Sequence, residues 1–346
     1  MKTRIAAFMM SLPIYLSAQV SEFHPGLVAD GVNYALPKTG VRADVTVRKV
    51  TFTPGEYAKY AERYLHIQDV NTQQQTTYSI AAIDIYQYGE PDTLKYYTVK
   101  MKDKSVAPMA QLTDNGILTA INSTTGLPQH NMQRKTSTNH RLDSRKYFTS
   151  EILAASSVAK MAELTAQEIM EIRESKNAIR RGQVESMPKD GASLKIVLGE
   201  LNKQEDALMQ LFVGYSDTTI YAESYSIMPE KDVEKCVFFR FSSKLGLLDS
   251  DDLAGAPYYI SITDLHTVPM PTEAEMKKRK INGIVYNMPS MANVKIFTTA
   301  DTVYDKDLPF GQFGTIDVLA NSLFGKDATT SVVFNPASGG IVKIEK

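Results

Sequence analysis

The 346-residue chain has one cysteine, no tryptophan, almost no net charge and no apolar run long enough to cross a bilayer as a helix. Each shortage excludes something. A lone thiol, Cys236, forms no internal disulfide, so the fold depends on a packed core, which a chain of this length is able to bury. A net charge of −1, from 38 Lys and Arg against 39 Asp and Glu, leaves no electrostatic footprint for nucleic acid or for an anionic membrane surface. The five histidines, His24, His66, His130, His140 and His266, share no zinc-type spacing with one another or with Cys236. There is no P-loop, no G-x-S-x-G, and no G-x-G-x-x-G after a strand. A Ser-His-Asp triad is defined by geometry rather than by order, so the sequence leaves one open. No carboxylate pair stands out for glycoside hydrolysis. No catalytic residue, metal or cofactor is expected.

What is present is a globular composition, 43% hydrophobic and 22% charged, with 18 Tyr and 13 Phe for aromatic bulk. At the N-terminus, Lys2 and Arg4 precede an apolar run from Ile5 to Leu16, and Ser17-Ala18-Gln19 follows. That is the charge, length and position of a signal peptide over 1–18, cut after Ala18, rather than of a buried helix. No cysteine follows the run, which excludes a lipoprotein anchor. The mature chain is expected to be exported and soluble.

Leu36-Pro37-Lys38-Thr39-Gly40 spells a sortase sorting signal, but it lies near the mature N-terminus with a polar strand after it. A second explanation comes from repetition. "GVNYALPKTGVRADVTV" from Gly31 and "GIVYNMPSMANVKIFTT" from Gly283 both read Gly, β-branched, any, Tyr, any, Leu or Met, Pro. Alternating strands follow, with Val41, Ala43, Val45 and Val47 in one and Val294 and Ile296 in the other. Pro37 and Pro289 are expected to end strands or to sit at an edge. A second pair, Leu112–Asn122 and Phe334–Glu345, reads as a Gly-containing turn feeding a strand. Two related β units are inferred, with the pentapeptide as a turn in the first.

Residues 19–150 read mainly as strands, broken by a short amphipathic helix through Tyr57, Tyr60, Ala61, Tyr64 and Leu65. Residues 129–146 are polar and basic, read as an exposed loop. From about 151 to 214 the period becomes helical. Thr165 and Glu168 form a capping box with Leu164 and Ile169 as staple, Gly182 is the stop, and a second stripe runs from Leu194 to Phe212 and closes at Gly214. This predicts an αα-hairpin. Strands return from 215 to 346, with a short charged segment at 271–280. The expected class is α+β: two related β-rich units with a central αα-hairpin.

The short strings that suggest chemistry have plainer readings. Ser157-Val158-Ala159-Lys160 and Lys38-Thr39-Gly40 match penicillin-binding motifs, but in the wrong order. Asp249-Ser250-Asp251-Asp252 begins like a calcium loop, yet Leu253, Ala254 and Ile260 stand where an EF-hand needs oxygen, Gly and Glu, so it reads as an acidic turn. Cys236 reads as a packed strand residue. Arg173 and Arg240 are candidates for structural ion pairs, and Lys189-Asp190 for a specific turn contact.

Arg173, Met187-Pro188-Lys189-Asp190-Gly191, Glu205, Leu211-Phe212, Gly214, Arg240-Phe241-Ser242, Gly246, Gly255 and Pro257 carry a resemblance over nearly the whole mature chain. On these residues the chain resembles an exported, domain-of-unknown-function family of Bacteroidota. The resemblance implies a Gram-negative envelope, hence a periplasmic location, peripheral to the outer membrane at most, and removes sortase. It also implies O-glycosylation at Asp-Thr-apolar or Asp-Thr-Thr sites, for which Thr93, Thr218 and Thr302 are the candidates. The expected function is a non-enzymatic binding or scaffold module for an envelope protein or glycan, marked by an exposed aromatic patch. A periplasmic hydrolase of glycan or peptide, or a small-ligand carrier, is the alternative.

Overall fold

The computed structural model describes residues 31–99, 110–123, 141–183, 190–272, 283–324 and 330–345. The leader, His24, His130, His140, Lys189 and most of the charged segment at 271–280 lie outside the described residues.

Strand β1 (Val32–Thr53) and β2 (Gln75–Val99) form a long antiparallel ribbon, with a 3-10 turn at Ala58–Tyr60 and helix α1 (Ala61–Leu65) between them. Strands β3 (Ala110–Leu112) and β4 (Leu118–Ile121) pair next. After a 3-10 turn at Ser144–Tyr147 come α2 (Ser150–Ala154), α3 (Val158–Arg181) and α4 (Gly191–Val213). The remaining strands are β5 (Tyr215–Ile227), β6 (Val233–Ser242), β7 (Gly246–Leu248), β8 (Ala256–Asp264), β9 (Gly283–Phe297), β10 (Thr302–Ala320), β11 (Ser331–Phe334) and β12 (Ile341–Glu345). They make antiparallel sheets in the orders β2-β1-β5, β10-β9-β8-β6-β7 and β12-β11-β4-β3. The first and third sheets each draw strands from both 19–150 and 215–346.

Alternation explains the central core. Val41, Ala43, Val45 and Val47 of β1 are all buried and face Ile260, Ile262, Val294 and Ile296 of the second sheet. Each of the Val and Ile side chains contributes roughly 1.5–3 kcal/mol when fully buried. The tyrosines serve this core: Tyr258 stacks on Phe239 at 4.5 Å and Tyr225 at 5.0 Å. The first half of β1 (Tyr34, Leu36) and of β9 (Ile284, Val285) turns to a second core with Leu118, Ile121, Val332 and Phe334. Here the Tyr34 hydroxyl donates to the Val285 carbonyl and accepts from the Val285 N–H, both at 2.9 Å. Burial pushes that phenol's pKa far up.

Neither Pro37 nor Pro289 ends a strand. Each lies inside a long one, where the ladder is interrupted. Leu36, between the pairs Ala35–Tyr96 and Pro37–Pro91, is opposed by the run Asp92–Lys95. Pro289, between Met288–Thr315 and Ser290–Phe310, is opposed by Gly311–Gly314. A residue without an N–H is tolerated within a sheet where a bulge removes the need for that donor. The β10 bulge folds inward, burying Phe313 against Phe310 at 5.2 Å. The β2 bulge folds outward and leaves Leu94 88% exposed, although buried Asp92 holds the Leu94 N–H at 3.1 Å. Beside the two prolines, the Ala35 N–H donates to Gly116 O at 2.9 Å and the Asn287 N–H to Gly339 O at 3.2 Å.

The helices share a third core of Tyr57, Ala61, Ala166, Ile169, Leu208 and Phe212. The first long helix begins at Val158, earlier than the Thr165 capping box predicts. Ser157 caps it, its Oγ accepting from Lys160 N at 3.2 Å. Thr165 is mid-helix and donates back to Met161 O at 2.7 Å, an alternative use of the same hydroxyl. Gly182 (φ 66°) and Gly214 (φ 78°) end the two helices. Asp190 caps α4 through Ser193 N at 2.7 Å.

Arg173 does form its ion pair, with Glu205 at 2.6 Å, and Lys176 joins the same carboxylate. Arg240 has no ion pair among the described residues: its Nε donates to Ser250 O at 2.8 Å and its Nη1 to Gly255 O at 3.1 Å, lacing the acidic turn with carbonyl bonds. Cys236 is exposed, not packed. Register shifts on both sides of it break the alternation and bring Phe238 and Phe239 inward together.

Candidate functional site

Where strand ends meet the helices, a cleft of about 480 Å³ opens between Glu56, Arg141, Leu142, Asp143, Ser144, Arg145, Phe148 and Leu211. Thr53, Pro54, Gly55, Gln210 and Tyr215 extend it toward the sheet. Its walls are fixed by main-chain contacts. Gly55 lies so flat on α4 that a Cβ would stand 2.2 Å from Leu211 O. The Tyr57 N–H donates to Leu211 O at 2.7 Å, and the Ser144 hydroxyl to Ala207 O at 2.5 Å. The Leu142 N–H donates to Gln210 Oε1 at 3.2 Å.

The charged groups are less constrained. Arg141 is 3.8 Å from Glu56, with both side chains more than half exposed, and its guanidinium lies 5.3 Å from the Tyr215 ring centre. Asp143 meets Lys146 at 3.9 Å. Pairs this exposed hold their partners weakly, so Arg141 is available to a competing anion. The site therefore offers guanidinium donors in a cleft whose lining also includes the apolar side chains of Phe148 and Leu211. The Ser144 hydroxyl is already engaged by the Ala207 carbonyl.

A Ser, an Asp and a His do come together elsewhere. The Ser290 hydroxyl donates to Asp264 Oδ1 at 2.7 Å, and His266 Nδ1 lies 2.8 Å from Asp264 Oδ2. A nucleophilic triad needs the imidazole between serine and carboxylate. Here the carboxylate is in the middle, Ser290 is fully buried, and the His266 side chain points into solvent. The Thr267 N–H donates to Ser290 Oγ at 3.1 Å, and the Thr267 hydroxyl accepts from Met291 N at 2.8 Å. The cluster is the fastening of the turn after β8.

The penicillin-binding strings are apart and structural. Ser157 is a helix cap, while Thr39 is buried and hydrogen-bonded to Ala337 O at 2.9 Å. Thr93 is exposed on the outward bulge, Thr302 is exposed at the start of β10, and Thr218 is half-buried on β5; the three lie on different strands. The expected aromatic patch is not there: every Tyr and Phe with a described side chain is buried or half-buried. The cleft was not read from the sequence. Only the basic run at 129–146 hinted at it, and of that run 141–146 are described.

A family model described as a domain of unknown function, DUF4831, matches residues 30–342. The chain belongs to this family. The DUF4831 match spans all three sheets and the helices, so cleft and cores are parts of one family unit. No curated protein and no solved structure matches the chain.

Proposed function

We propose that this DUF4831 protein is an exported, periplasmic binding or scaffold module of a Bacteroidota envelope, and that the cleft is where it engages another envelope component. The observation that carries this reading is Arg141 on the Tyr215 face, weakly paired, in a cleft that Phe148 and Leu211 also line. Such a surface suits an acidic protein segment or an acidic glycan, binding by charge-assisted hydrogen bonds with apolar contact beneath. The test is crosslinking and co-purification from the native envelope with the chain and with Arg141→Glu. Loss of a stoichiometric component from the variant supports the reading. Identical companions for both, or none for either, overturns it.

The module is built from two related β units around an αα-hairpin. Two parallels support that relation: the bulge opposite Leu36 and the bulge opposite Pro289, and the Ala35–Gly116 and Asn287–Gly339 bonds. Export rests on the basic and apolar N-terminus, and O-glycosylation on the exposure of Thr93 and Thr302. Intact mass of the protein from its host tests both. Removal of 1–18 and glycan mass lost from Thr93→Ala are the expected results.

A further inference from the structure

The two hairpins of the third sheet repeat one another in register. In β3–β4, Ala110 pairs with Ile121 and Gln111 with Ala120; Thr119 is then skipped, and Leu112 pairs with Leu118. In β11–β12, Val332 pairs with Ile344 and Val333 with Lys343; Val342 is then skipped, and Phe334 pairs with Ile341. A long strand holds each turn at a glycine, through the Ala35 N–H on Gly116 O and the Asn287 N–H on Gly339 O. So β3 is equivalent to β11, and β4 to β12. The hairpins join by one junction, antiparallel: β4 meets β11, with Ile121 against Val332 and Ala120 against Val333. There Ile121 and Val332 are both fully buried. At the two borders of the sheet the same kinds of edge stand open. Among the described residues no strand pairs with the outer side of β12, the equivalent of β4, or of β3, the equivalent of β11. The difference shows at Ile344, which holds the place of Ile121 and is 49% exposed.

We propose that β12 of one copy takes β3 of a second copy as its next strand, extending the sheet by the junction it already contains. An edge of unpaired N–H and C=O groups is a template for such an addition, and the internal junction says which strand fits it. Exchanging equivalent residues gives the register. Ile344 stands against Ala110 of the second copy, and Lys343 against Gln111. The direction is antiparallel, as between β4 and β11. Ile344 shares the core face with its partner Val332 and gains an apolar neighbour there, while on the other face Lys343 meets a neutral amide. The contact is heterologous, so copies add head to tail into a chain or a closed ring. The inference rests on the likeness of the two β units and not on the cleft, so Arg141→Glu should leave the assembly unchanged.

The test is disulfide trapping in a Cys236→Ser background. Purified Ala110→Cys and Ile344→Cys chains are mixed and oxidised gently, so that any disulfide lies between copies. A bond from 110 to 344, identified by peptide mass, is expected as the main product. A chain carrying both substitutions should give covalent multimers rather than an internal bond. Within one copy the two positions are three strand spacings, about 14 Å, apart, and a disulfide needs Cα atoms within ~7 Å. Sedimentation velocity of the unsubstituted chain over a concentration series should show reversible association, weakened roughly tenfold by Ile344→Lys, with a thermal melt to check that this variant is folded. Bonding of Ile344→Cys to itself with none to Ala110→Cys means that another surface meets β12 and overturns the proposal. So does a chain that stays monomeric at every concentration, or an association indifferent to Ile344→Lys.

Discussion

Gln312 grips both main-chain groups of Thr39. Its Oε1 accepts from Thr39 N and its Nε2 donates to Thr39 O, each at 2.8 Å, so one side-chain amide takes the place of a neighbouring strand. The same Nε2 also reaches Pro229 O at 2.9 Å. Gln312→Ala leaves these groups unpaired in a half-buried place and is expected to cost about 2–4 kcal/mol. The urea midpoint measures it. Gln312→Glu should be worse at neutral pH, because its carboxylate meets two carbonyl oxygens.

Glu205 makes stability depend on acid. Burial pushes its carboxyl pKa up, but hydrogen bonds and charge from Lys176 and Arg173 outweigh that and bring it below the usual value. Between the folded and unfolded values, the unfolded chain binds more protons. The stabilisation is therefore complete above about pH 4.3 and is lost as pH falls through the lower, folded value. Denaturant melts across this acid range should show the loss in the wild type. Glu205→Gln should be less stable at neutral pH and should lack that part of the acid dependence.

Ser290 should be silent toward serine-directed reagents. Its proton is held by Asp264 and its side chain is buried. A fluorophosphonate probe is expected to leave the folded chain unlabelled. Ser290→Ala should instead lower stability, by about 1–2 kcal/mol, because the Asp264 and Thr267 partners lose a bond. Labelling of Ser290 in the native state would contradict the geometry.

Cys236 should behave in the opposite way. It is exposed on β6, so a thiol reagent should titrate one equivalent without denaturant. Cys236→Ser should shift stability by no more than about 0.5 kcal/mol.

The parts of this fold that follow a period were legible in the sequence. Val41, Ala43, Val45 and Val47 alternate along the strand and are all buried in one core; Gly182 and Gly214 end helices where the pattern stops. What failed was the reading of places where the period breaks. A bulge reverses the face at Cys236, and the prolines that look like strand ends lie within long strands instead, Pro37 next to a bulge and Pro289 opposite one. Thr165 carries a cap's hydroxyl but is beaten to the role by Ser157, about two turns upstream, so that the helix has already begun when Thr165 is reached. The cleft was illegible for another reason. Glu56, Arg141 and Leu211 come from three distant segments, and what joins them is the flat seat of Gly55 on a helix carbonyl, which no local pattern announces.

The first strand of the fold lies in two cores at once. As the chain is made, β1 emerges early, but Asp44 must await Ser224, and Tyr34 must await Val285. Closing such distant pairings is slow, since loop entropy is lost before the contacts form. Until then β1 is a long ribbon edge of valines without its facing sheet, the kind of segment that sticks to other chains. The nascent protein is expected to need a holding chaperone over its first half. Even when β9 has arrived, the central core still waits for Phe310 and Phe313 of β10, and the second core for Val332 and Phe334 of β11, so β1 is covered only when the chain is nearly complete.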